Sequence, residues 1–253
     1  MDKSIHGKTV LVTGASGGIG SAIATLFASN GAMVGIHYNT NKHDAEKVAE
    51  TIRQQGGTVS LFEGDLLDQN TRDTLIDRFV SVFGRIDILI NNAGAAFDYV
   101  HFSKLDSVSW DKTFDLNTKA PFYLIGRAFE QMKRTGVGGK IINVSSVSVK
   151  YGGSANSLHY SASKAALESL TVGFAREGAA HNILVNCIRC GVIDTPMRTK
   201  IAGYNEDRFR ERVAMIPLKK VGRPIDIASM ALFLASESGN FITGEIFNVT
   251  GGD

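Results

Sequence analysis

The sequence predicts a single-domain, doubly wound α/β fold with about seven parallel strands, spanning residues 1–253. Three observations carry this. Apolar, β-branched runs alternate with helix-period stretches from end to end. Most of those runs are continuously apolar rather than alternating, as strands covered on both faces should be. No linker rich in Pro, Gly or Ser and no shift in composition divides the chain. Strand–helix–strand repetition implies right-handed crossovers and hence a mainly parallel sheet.

The strands are read at Val10–Val12, Met33–Tyr38, Thr58–Phe62, Ile86–Ile90, Lys140–Val144, Ile183–Ile188 and Glu245–Val249. Between the first two, Ile19, Ile23, Leu26 and Phe27 recur at helical spacing, and Asn30-Gly31 ends that helix. Asp44–Gln55 turns Ala45, Val48 and Ile52 inward before Gly56-Gly57, and Thr71–Phe83 does the same with Leu75, Ile76, Phe79, Val82 and Phe83. Pro121 falls inside a helical pattern, so it kinks the helix or marks its first turn. Residues 198–218 form the least regular stretch. Long irregular segments are often lids, so substrate contacts are expected there and in the 94–104 loop.

Composition excludes several classes. A net charge of +2 gives no argument for nucleic acid or a membrane surface as partner. No apolar run approaches the roughly 18 residues of a membrane span. The N-terminus lacks an apolar block followed by a small-residue cleavage site, so a cytoplasmic protein is expected. Cys187 and Cys190 spell C-x-x-C, but Cys187 lies inside an apolar strand-like run and no second pair completes a zinc set. They read as two structural thiols, and no metal is expected.

Two motifs carry chemistry. The first strand runs into TGASGGIG at residues 13–20, where Gly14, Gly18 and Gly20 allow a tight turn and close backbone approach to a ligand. The helix that follows aims its N-terminus at that ligand, which suits a pyrophosphate. Tyr160 and Lys164 stand four apart in HYSASKAAL, on one face of a helix. An ammonium beside a phenol favours the phenolate, so a lowered tyrosine pKa is expected.

TGASGGIG, NNAG at 91–94, Asn117, Ser146 and the Tyr160/Lys164 pair together resemble the short-chain dehydrogenase/reductase family. VNCIRCGVIDTPM and the tail ITGEIFNVTGG extend the resemblance over the whole chain. It implies a Rossmann-like fold and the following roles. Tyr160 is the general acid/base, Lys164 tunes it and bonds the nicotinamide ribose, and Ser146 hydrogen-bonds the substrate oxygen. Asn117 holds a water linked to Lys164. Gly14, Ser16, Gly18, Ile19 and Gly20 hold the pyrophosphate end; Asp65 and Leu66 meet the adenine. Asn92, Ala93 and Gly94 line the cofactor, and Ile193 and Thr195 hold the carboxamide.

The chain also departs from the family pattern. The gap from Ser146 to Tyr160 is one residue longer than the pattern, which leaves Ser145 as an alternative to Ser146. Cys190 stands where the family usually has proline. At Tyr38, where NAD-dependent relatives place an acid, there is none, and Asn39 stands where many NADP enzymes carry arginine. With Ser16, Thr40, Asn41 and Lys42 offering donors, NADP(H) is favoured over NAD. The resemblance to 3-ketoacyl-carrier-protein reductases implies a 3-ketoacyl thioester or small ketone as substrate, a role in fatty acid biosynthesis and a homotetramer. Alternatives are an NAD-linked dehydrogenase of a secondary alcohol, sugar or polyol, and a non-catalytic nucleotide sensor.

Overall fold

A computed structural model describes residues 3–196 and 205–253. Seven strands form one sheet in the order β3-β2-β1-β4-β5-β6-β7. They are β1 (Thr9–Val12), β2 (Met33–Tyr38), β3 (Thr58–Glu63), β4 (Ile88–Asn91), β5 (Gly139–Ser146), β6 (Ile183–Cys190) and β7 (Ile246–Val249). Every pairing is parallel. The winding reverses between β1 and β4, which opens a crevice at the carboxyl ends of these two strands.

Strand bounds differ from the sequence reading where polar side chains do structural work. The fourth strand starts at Ile88, not Ile86, because Asp87 turns to the foot of β1. Its carboxylate accepts from the Thr9 N–H at 2.8 Å and from Arg85 Nε at 2.9 Å. β5 and β6 run past Val144 and Ile188, pairing Ser145 with Arg189 and Ser146 with Cys190. A criterion of apolar runs ends at the last apolar residue and misses these last rungs, which carry site residues. Cys190 therefore ends a strand.

Helices cover both faces. α1 (Gly18–Ser29), α2 (Lys42–Gln54) and α9 (Pro224–Ala235) bury Ile23, Phe27, Ile52, Ile227 and Leu234 with Val10, Val12, Ile36 and Ile90 of the sheet. α3 (Gln69–Phe83), α5 (Ala120–Thr135) and α7 (Leu158–Ala179) bury Leu75, Phe79, Leu124 and Ala175 with Leu11, Leu89, Ile141 and Val185. Alternate residues of β1 thus face opposite cores, which is why its run is continuously apolar.

Local signals set the helix ends. Asp68 caps α3 by accepting the Thr71 N–H at 3.1 Å, and Gly84 closes it in the left-handed region at φ 81°. α4 (Ser107–Phe114) is capped by Asp106, which accepts from Ser109 N at 2.7 Å. A π-turn over Asp115–Lys119 then leads into α5, with Pro121 in the first turn of α5, where its missing N–H costs little. A short α6 (Ser148–Tyr151) follows β5. Within the stretch read as irregular, α8 (Glu206–Met215) forms, capped by Asn205; residues 197–204 lie outside the described residues. Among the described residues, no helix is long and apolar enough to cross a membrane.

Candidate active site

The glycine-rich turn is built by close approach. Gly14 has φ 62°, and a Cβ there would lie 2.9 Å from Ala93 Cα. A Cβ on Gly20 would lie 2.4 Å from the Gly14 carbonyl and 2.6 Å from Asn92 Nδ2. Asn92 stitches the turn to β4 by donating to the carbonyls of Thr13 (2.9 Å) and Gly14 (3.0 Å). Thr13 Oγ1 accepts the N–H groups of Asn92 and Ala93, both at 3.0 Å. Across the crevice, a Cβ on Gly18 would sit 3.3 Å from Thr195 Cγ2. Ser16, Ile19 and Ile193 are part-buried around this channel. The bare cradle at the start of α1 fits a dinucleotide pyrophosphate.

His37, which the sequence reading passed over, lies beneath this turn. It is buried, with Nδ1 accepting from the Gly14 N–H at 3.2 Å and Nε2 donating to the Gly64 carbonyl at 3.0 Å. That pattern requires the neutral ring with its proton on Nε2. Burial pushes its pKa down to about 4. An apolar strand run, GIHY, gave no signal for a polar link because the partners lie 23 and 27 residues away.

At the adenine end, Asp65 Oδ1 accepts from the Leu67 N–H at 2.9 Å, so the acid also shapes its own turn. Leu66 is 3% exposed, and its side chain packs into the core on the α3 face. Tyr38 is buried and its hydroxyl donates to Glu63 at 3.2 Å, while Asn39, Thr40 and Asn41 are exposed.

The other half of the site forms where β5 meets α7. Tyr160 shares a hydrogen bond with Ser146. Ser145 points away and donates to Glu168 Oε1 at 2.7 Å. The structure thus puts Ser146, not Ser145, beside the phenol. In the intervening loop, Ser157 Oγ accepts the Ser154 N–H at 3.0 Å and closes a turn before α7.

Lys164 is buried, and its ammonium donates to the Val144 carbonyl at 2.9 Å. A Cβ on Gly94 would lie 2.8 Å from Lys164 Nζ and 2.9 Å from Asn117 Oδ1, so a side chain here would displace the lysine ammonium or the Asn117 amide. Burial lowers the Lys164 pKa to about 8, opposed by Cys187, Cys190 and Glu168. The Tyr160 phenol is pushed up, burial being the largest cause and the Ser146 hydrogen bond opposing it. This reverses the direction expected from the four-residue spacing. The ammonium donates to the Val144 carbonyl and lies under Gly94, and Tyr160 is part-buried.

Asn117, in the π-turn, is fully buried. It accepts the Ala95 N–H (3.0 Å) and donates to the Ala95 carbonyl (2.8 Å) and Ser163 Oγ (3.0 Å). Its side chain therefore anchors the start of the 94–104 loop. His159, also unmarked in the sequence reading, helps by bonding the Phe97 carbonyl at 3.0 Å. Cys187 and Cys190 are free and buried; burial raises both thiols, Cys190 to about 12, so neither is a thiolate. Among the described residues, no group of His, Cys, Asp and Glu could hold a metal ion.

A phosphate cradle facing a serine–tyrosine–lysine cluster over one crevice of a parallel sheet defines a nicotinamide-dependent oxidoreductase acting on CH–OH or C=O groups. A protein-family model described as enoyl-(acyl carrier protein) reductase matches residues 14–253. The chain is 37% identical over 246 residues to a 3-oxoacyl-[acyl-carrier-protein] reductase FabG of Staphylococcus aureus, covering 97% of each chain. It superposes on a blue fluorescent protein from a metagenomic library in complex with NADPH, with a TM-score of 0.89, 31% identity and 98% of each chain covered. It also superposes on a 7α-hydroxysteroid dehydrogenase complexed with NADH and 7-oxo glycochenodeoxycholic acid, with a TM-score of 0.92, 31% identity, and 99% of this chain and 96% of that chain covered. The chain belongs to the short-chain dehydrogenase/reductase family.

Proposed function

We propose that the chain is a single-domain reductase that uses NADPH on a ketone or 3-ketoacyl thioester. The observation that carries it is the meeting of Ser146, Tyr160 and Lys164 beside the glycine cradle. Gly14, Ser16, Gly18, Ile19 and Gly20 would hold the pyrophosphate, Asp65 the adenine, and Ala93, Gly94, Ile193 and Thr195 the nicotinamide end. The bound nucleotide supplies hydride. Ser146 orients the carbonyl oxygen and stabilises the charge that develops on it. Tyr160, protonated at neutral pH, gives its proton to that oxygen. Lys164 and the residues around Asn117 return a proton to the phenol.

NADPH is supported by the rim after β2. Asn39, Thr40 and Asn41 are exposed donors, Lys42 opens α2, and the nearby acid, Glu63, is engaged by Tyr38. The FabG relative supports the thioester class. A second reading, an NAD-linked dehydrogenase of a secondary alcohol, is favoured by the absence of an arginine at position 39 and by the NADH-bound steroid dehydrogenase relative. Exposed Trp110, Phe122 and Tyr123 on α4 and α5 support a homotetramer.

Fluorescence titration with NADPH and NADH, followed by a panel of acetoacetyl thioesters, diketones, steroids and sugars, tests the reading. Tyr160→Phe is expected to cut turnover by about a thousandfold or more while cofactor still binds. Near-normal turnover in that variant would sink the mechanism, and a clear NADH preference would favour the second reading.

A further inference from the structure

Behind the candidate site lies a buried polar cluster that the mechanism does not use. Glu168 stands one turn after Lys164 on α7, and its carboxylate is nearly enclosed. Oε1 accepts from Ser145 Oγ (2.7 Å) and Arg189 Nε (2.9 Å), and Oε2 accepts from Arg189 Nη2 at 2.6 Å. Arg189, on β6 opposite Ser145, also donates to Asn248 Oδ1 at 3.2 Å. A two-pronged guanidinium–carboxylate pair of this kind fixes both position and charge.

We propose that Glu168 and Arg189 are positioning residues for the proton-transfer centre: the pair holds Ser145 so that Ser146 faces Tyr160, and its charge balance sets the field at the Lys164 ammonium. The inference rests on the reading of Ser146, Tyr160 and Lys164 given above. The geometry supports both parts. Ser145 and Ser146 are consecutive on a strand, so their side chains point to opposite sides, and anchoring one orients the other. Glu168 shares the Lys164 face of α7 at i and i+4. The groups acting on Lys164 are Cys187 and Cys190 of β6 and Glu168 of α7. With both thiols protonated, Glu168 is the one carboxylate among them.

Variants of the two partners separate this role from a merely structural one, because their charges act in opposite directions. Lys164 ionisation is read without turnover by NMR of protein carrying 13Cε-lysine, with Lys164→Met assigning the signal. Glu168→Gln removes the negative charge and leaves Arg189, so the Lys164 midpoint should fall by about one pH unit, tenfold in its ionisation constant. Arg189→Gln leaves Glu168 uncompensated and should raise the midpoint by a smaller amount. The double variant should return it towards the wild type. An unmoved midpoint in Glu168→Gln, or both single variants moving it the same way, overturns the proposal. The alkaline limb of kcat/KM for carbonyl reduction is followed in parallel. A limb that ignores the Lys164 midpoint counts against the functional reading alone, since the NMR midpoints judge the pair independently. Ser145→Ala, which keeps both charges, should leave the midpoint in place and lower kcat by about tenfold through a looser Ser146; an unchanged kcat overturns the positioning part.

Discussion

Lowering the pH should destabilise this protein through one ring, His37. Its pKa is about 4 in the fold against 6.5 for an ordinary histidine. Desolvation is the largest cause, the hydrogen bond to Gly64 opposes it, and Arg78 adds to it while Asp65 opposes. The hydrogen bonds make the same case independently of burial. Protonation would place an N–H on Nδ1 directly against the Gly14 N–H that it now accepts.

The sign follows from proton uptake. Between pH 6.5 and 4 the unfolded chain holds a proton on His37 and the native chain does not, so stability rises with pH across that window. The contribution is intact above about pH 6.5, falls as pH drops towards 4, and does not change further below. The gap between 6.5 and about 4 corresponds to about 3 kcal/mol. Against a total stability of roughly 5–15 kcal/mol that is a large loss. Urea denaturation of the wild type and His37→Gln at pH 7.5, 6.5, 5.5 and 4.5 measures it. Other titrating groups are common to both proteins, so the difference between their stabilities isolates His37. It should shrink, by about 1.4 kcal/mol per pH unit at most, as pH falls below 6.5. Parallel curves over this range would refute the argument. Because Gly14 opens the phosphate cradle, cofactor affinity should hold across this window and weaken only as pH approaches 4, where the native ring takes up its proton.

Two further perturbations act on different parts of the molecule. Gly94→Ala puts a methyl 2.8 Å from Lys164 Nζ and 2.9 Å from Asn117 Oδ1. It should lower kcat about a hundredfold with a much smaller effect on thermal stability; steady-state kinetics beside calorimetry decide it, and unchanged kcat would contradict the packing argument. Phe79 is fully buried, with ring centroids 5.5 Å from Phe62 and 4.9 Å from Phe83. Phe79→Ala should cost about 3–5 kcal/mol in urea denaturation. A loss under 1 kcal/mol would show that this cluster is not part of the core.

The sequence by itself determined the layered architecture. Strands buried on both faces must be apolar throughout, and helices buried on one face must repeat at 3.6, so both periods are written in local order. The glycine turn and the Tyr160/Lys164 spacing were legible for the same reason, since each lies within one element or one turn. Only the tertiary structure decided how distant groups share atoms. Ser145 and Ser146 are indistinguishable by type; Glu168, 23 residues away, claims the first and leaves the second at Tyr160. The spacing suggested that Lys164 lowers the Tyr160 pKa. Burial reverses that, because desolvation depends on everything packed around a group and not on its position along a helix. His37 was hidden in an apolar run, and its role exists only because Gly14 and Gly64 close on either side of its ring.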